Sequence, residues 1–121
     1  MERNRDIGMN SFNIPLHYLS ELENSTIEMI KYMIESKSNL NKENNICSTP
    51  LHSICQNEKI DLLFIQYLIE VKGDFNVINL YKKSPFTYAS ENRSLMKETK
   101  EKYGENVTFD QIFKVFLHKY N

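Results

Sequence analysis

The chain has 121 residues, with 15 Lys and Arg against 16 Asp and Glu, for a net charge of -1. That length holds one domain with one core, and the balanced charge leaves no electrostatic footprint for a nucleic-acid backbone. The longest apolar runs, such as Leu62 to Ile65, are too short to span a bilayer, and the opening residues lack the apolar core of a signal peptide. Two cysteines, Cys47 and Cys55, form neither a disulfide framework nor a zinc spacing, so a reduced, cytoplasmic or nuclear setting is expected.

Three prolines, Pro15, Pro50 and Pro85, stand 35 residues apart, in the phrases Ile14-Pro15-Leu16-His17, Thr49-Pro50-Leu51-His52 and Ser84-Pro85-Phe86-Thr87. Shifting the chain by that interval also pairs Ile30 with Ile65, Tyr32 with Tyr67, Ile34 with Ile69, Glu35 with Glu70 and Asn41 with Asn76. A fixed period of tens of residues marks stacked repeats, none of which can bury its apolar face alone. Units are expected at about 12–44, 45–79 and 80–119 of a single domain spanning 1–121.

In the first unit Ile14 occupies the place of a capping residue, and only Asn13 is near enough to supply the hydrogen bond. In the second, Thr49 caps a helix that Pro50 opens, and Leu51, Ile54 and Cys55 give an apolar i, i+3, i+4 stripe. Residues 56–59 are a polar break. A second helix is expected over 61–72, with Leu62, Ile65, Leu68 and Ile69 on one face and Phe64 beside it. In the third, Ser84 caps and Thr87 replaces the histidine. The run Ile112 to Leu117 then matches Met29 to Ile34 at an offset of 83, so 13 residues are inserted within 93–106. That insert is expected to lengthen the first helix to about Tyr103, before a turn, and to fold over a last core face of Phe109, Phe113 and Phe116. Tyr32 and Tyr67 are expected to pack the outer layer.

Thr49-Pro50-Leu51-His52-Ser53-Ile54-Cys55, with Tyr67-Leu68-Ile69-Glu70 and Gly73-Asp74-Phe75-Asn76, resembles the ankyrin repeat. The resemblance implies an all-α solenoid of stacked helix-turn-helix units joined by hairpin-like loops. The family period is about 33 residues; the two extra residues are placed at Leu62-Leu63. The helix-end glycine comes one residue late at Gly73, so Lys37 and Lys72 are expected to take the left-handed position themselves. Cys47 and Lys82 stand where the family's turn glycine falls, so loops less regular than the family norm are expected.

By the same resemblance, His17 and His52 tie neighbouring loops to helix starts rather than bind metal or catalyse. The implied function is non-enzymatic protein binding by a monomer, with no cofactor, nucleic acid or membrane. Its surface would combine loop tips with the concave face of the first helices: Tyr18, Asn45, Ile46, Ser53, Gln56, Leu80, Tyr81 and Tyr88, with Glu21 and Glu91 beside them. No phosphate loop, paired catalytic carboxylates or nucleophile elbow occurs. Two alternatives stand: a structural remnant of a longer array, and a cysteine-dependent enzyme or redox protein centred on Cys47 and His52.

Overall fold

The computed structural model describes residues 27–36 and 39–120. Among them lie six helices and no strand: α1 (Ile27–Glu35), α2 (Pro50–Gln56), α3 (Leu62–Glu70), α4 (Pro85–Glu91), α5 (Arg93–Tyr103) and α6 (Phe109–Tyr120). Helices α2 and α4 have seven residues each, too few to persist in water without packing and caps. Each has both. Helix α4 packs along α2 and α6 along α3, while α5 touches α3, α4 and α6. Ile30, Leu51, Ile54, Ile65, Leu68 and Leu95 are fully buried in one continuous core, with Phe64 also buried. The expected stripes of the second unit are therefore the ones that face inward.

Helix starts follow from side-chain oxygens. Thr49 caps α2, Asp61 accepts the Phe64 N–H at 2.8 Å for α3, and Ser84 accepts the Thr87 N–H at 3.1 Å for α4. At α6, Thr108 and Gln111 exchange bonds: the Thr108 N–H donates to Gln111 Oε1 and the Gln111 N–H to Thr108 Oγ1. That is a capping box.

The end of α3 shows why Lys72 tolerates the left-handed region, at φ 70°. Its N–H bonds the Ile69 carbonyl and the Gly73 N–H bonds the Leu68 carbonyl, the paired closure of a Schellman ending. Gly73 serves packing rather than positive φ. A Cβ there would lie 3.0 Å from Leu40 Cδ2, Leu51 Cδ2 and the Leu68 carbonyl oxygen. Lys37 lies outside the described residues, as do Asn13, Ile14 and His17.

Three expectations are corrected. The first helix of the third unit does not run to Tyr103: it ends at Glu91, and α5 starts at Arg93. The break is Asn92, which ends α4 and caps α5 at φ -73°, ψ 116°. Its Oδ1 accepts from the Ser94 and Leu95 N–H groups, and its Nδ2 donates to the Cys55 and Asn57 carbonyls at 2.9 and 3.1 Å. A buried amide with four satisfied bonds outweighs helix continuity. Tyr32 does not pack the outer layer either, being 69% exposed. Tyr67 is half-buried, stacked on Phe64 and donating to Glu35 Oε2.

The loops also proved more regular than expected. In each, the asparagine at the base closes a four-residue turn. The Cys47 N–H reaches the Asn44 carbonyl at 3.0 Å and the Lys82 N–H the Asn79 carbonyl at 2.9 Å. Cys47 and Lys82 sit at φ 59° and 64°, the left-handed place that follows such a turn. The Asn44 and Asn79 side chains accept two further backbone N–H groups apiece. Turn geometry is thus held by asparagine where glycine would have allowed it freely.

Phe109 and Phe113 pack with Phe75 and Phe86, the closest rings being Phe75 and Phe113 at 4.9 Å. Phe116 is buried too, and α5 adds Leu95 to the same core. Removing the Asn92 amide leaves the Cys55 carbonyl and the α5 N-terminus unmatched in a dry site. Asn92→Ala should therefore destabilise by about 1–3 kcal/mol, read from the urea midpoint; a midpoint unchanged from the parent would contradict this account of the helix break.

Candidate functional site: the loop tips and first helices

Among the described residues, the histidine and the buried cysteine singled out by sequence are taken up by structural roles. His52 is buried, and both ring nitrogens are used structurally. Nδ1 accepts the Thr49 N–H at 2.9 Å, completing the cap of α2, and Nε2 donates to the Val77 and Lys83 carbonyls at 2.9 and 3.1 Å. The imidazole therefore pins the loop at 79–83 to the start of α2, as the family resemblance implies. Burial lowers its pKa from the ordinary 6.5, against the raising effects of the Lys83 and Val77 carbonyl bonds and of Glu43. Cys55 is fully buried, and desolvation pushes its thiol pKa up, away from nucleophilic chemistry. Cys47 is partly exposed and carries no disulfide. Among the described residues no group of His, Cys, Asp and Glu could hold a metal ion. None of the described helices is long and apolar enough to cross a membrane.

The tips present side chains on a locked backbone. Asn79 is buried, and its Nδ2 donates to Ser48 Oγ at 2.9 Å and to the Tyr88 hydroxyl at 3.2 Å. The Leu80 N–H donates to the Ile46 carbonyl at 2.9 Å, joining one tip to the next. Held in this way, Ile78, Leu80 and Tyr81 are 56, 65 and 66% exposed. Asn45 is exposed and Ile46 half-buried on the neighbouring tip.

On the first helices, Gln56 is exposed and Tyr88 half-buried, while Ser53 is buried and offers little surface. Tyr88 meets the His52 ring edge-on at 5.9 Å, with Lys83 Nζ over its face at 5.4 Å. Lys83 also pairs with Glu91 at 3.0 Å. Tyr18 and Glu21 lie outside the described residues. Leu80, Tyr81, Asn45 and Ile46 thus lie on two adjoining tips, with Tyr88 linked to them through Asn79. Sequence reasoning passed over Ile78. Its signal was an apolar residue between the buried Phe75 and the turn, on no helical stripe.

The lowered pKa of His52 fixes a sign. Below about pH 6.5 the unfolded chain takes up a proton that the folded chain resists, so the histidine's stabilising contribution is complete above that pH and lost below it. The denaturant midpoint should fall between about pH 7.5 and pH 5.5, and His52→Gln should remove part of that fall. An equal pH dependence in parent and variant would refute the assignment.

A model of the family described as ankyrin repeats, in three copies, matches residues 15–99, ending within α5. No curated protein matches the chain. With most of the chain matched, and its helices stacked as the repeat requires, the chain belongs to the ankyrin repeat family.

Proposed function

We propose that the chain is a non-enzymatic, intracellular module that binds another protein through its loop tips and the exposed side of its first helices. Repeats of this family generally mediate protein–protein interaction. The observation that carries the reading here is the exposure of Ile78, Leu80 and Tyr81 on turns fixed by buried asparagine bonds. Large apolar side chains at a turn tip have no core to join. Their backbone is already ordered, so a partner meets them with little further loss of entropy. Tyrosine supplies rigid, amphipathic contact area of the kind found at interface hot spots. Asn45, Ile46, Gln56 and Tyr88 border this surface, and Tyr18 would extend it along the first unit. Ser53 is left out because it is buried.

The third unit is taken as 80–119 with α5 as the inserted helix, a reading supported by the more extensive packing of α6 on α3, which α5 also touches. Two free thiols accord with a reducing compartment.

The test is affinity capture with the intact chain and with a Leu80→Asp/Tyr81→Ala variant. Both residues are exposed, so the variant should keep the parent's melting temperature. Specific partners of the parent should be lost or weakened by about tenfold or more. Identical partner sets would remove the tip surface from the proposal.

A further inference from the structure

Helix α5, taken here as the inserted helix of the third unit, packs on α3, α4 and α6. Helix α4 already packs on α2, and α6 on α3. What α5 turns inward is modest: Leu95 and Thr99 are buried, and Glu98 Oε1 accepts the Leu62 N–H at 2.7 Å, capping α3. Its outward face has a different character. Arg93, Lys97 and Lys100 follow at intervals of four and three residues and so line one side of the helix. All three are exposed, and none pairs with a carboxylate among the described residues. Lys102, by contrast, is matched by Glu98 at 3.4 Å. Met96 and Tyr103, 41 and 46% exposed, border the three cations on one side.

Like charges one turn apart oppose each other and weaken a helix. Arg93 and Lys97 stand in that relation; Glu101, one turn after Lys97, and the place of Lys100 in the last turn favour the helix, but neither accounts for Arg93 beside Lys97. We propose that this face is a second docking surface, for an acidic segment of a partner protein that sets carboxylates against Arg93, Lys97 and Lys100 and an apolar side chain against Met96 and Tyr103. Arginine offers a planar fork for carboxylates, and methionine adapts its shape to an apolar contact.

The number of charges selects the occupant. Anionic membranes are recognised by clusters of about four to eight basic residues, more than this stripe holds. Nucleic acid calls for a basic excess that a net charge of -1 does not provide. A short acidic peptide fits three cations with an apolar border. The surface is separate from the tips. Helices α2 and α4 begin at the loops, whereas α5 follows the far end of α4 and caps the far end of α3.

The test is selection from a displayed library of peptides about 15 residues long, half of whose positions are Asp or Glu, on the intact chain. Acidic peptides carrying Leu, Phe or Met should be enriched. By fluorescence anisotropy their affinity should fall by about tenfold or more in Arg93→Glu/Lys97→Glu/Lys100→Glu and with rising salt. Binding should be unchanged in Leu80→Asp/Tyr81→Ala. Should the charge-reversed chain fail to fold, Arg93→Gln/Lys97→Gln/Lys100→Gln reads the same contacts. No acidic enrichment, or equal binding by parent and folded variant, overturns the proposal. So does stronger retention of the parent on phosphatidylserine vesicles or single-stranded RNA than on any selected peptide.

Discussion

The imidazole of His52 is the fastening on which the central part of this stack depends. One ring nitrogen receives the N–H that Thr49 would otherwise leave unmatched at the start of α2. The other gathers two carbonyls, from Val77 and Lys83, at the base of the next loop. Buried backbone groups must be paired, and the start of a short helix beside a tight turn concentrates unpaired ones. A single neutral side chain that donates on one side and accepts on the other resolves both. It also couples the second unit to the third, since the loop it holds leads directly into α4.

Asparagine continues the same logic along the stack. Asn41 accepts the Asp74 N–H and donates to the Lys72 carbonyl, bridging the ends of two units. Asn44 and Asn79 close the turns, and Asn92 divides α4 from α5 while holding the carbonyls that end α2. Apolar burial sets the stacking, but side-chain amides set the register. Each such amide matches donors and acceptors of fixed position, so a slip of one residue would leave several unmatched at once.

Much of this was legible in the sequence, though unevenly. The 35-residue interval, the Thr49 and Ser84 caps and the buried stripe of α3 follow from spacing and residue type alone. The left-handed Lys72 was foreseen because a glycine was missing from its place. The end of the first helix in the third unit was not. Asn57 and Asn92 are also 35 residues apart, a periodic signal that the charged run after Asn92 outweighed in the reading of a continuous helix. Whether Asn92 continues a helix or ends it depends on carbonyls 35 and 37 residues away in the chain. Tyr32 failed for a related reason. A match to Tyr67 predicts position on the helix, whereas cover depends on which neighbours reach it. Of the tip surface, Leu80 and Tyr81 could be read from apolar residues in a predicted turn. The locking of the turn and the exposure of Ile78 could not.

The three left-handed side chains among the described residues, Cys47, Lys72 and Lys82, carry a further implication. A residue with a Cβ is held in that region at a cost of about 1–2 kcal/mol, repaid by the contacts around it. The fold therefore works below its own ceiling of stability, and glycine at those places would relieve backbone strain without removing a core side chain or an exposed apolar tip residue. Glycine there would also loosen the unfolded chain, offsetting part of the gain. These turns show a scaffold that has exchanged local ease for long-range hold. Its loops keep their shape because neighbouring units are in place, so order at the tips reports on the integrity of the whole stack.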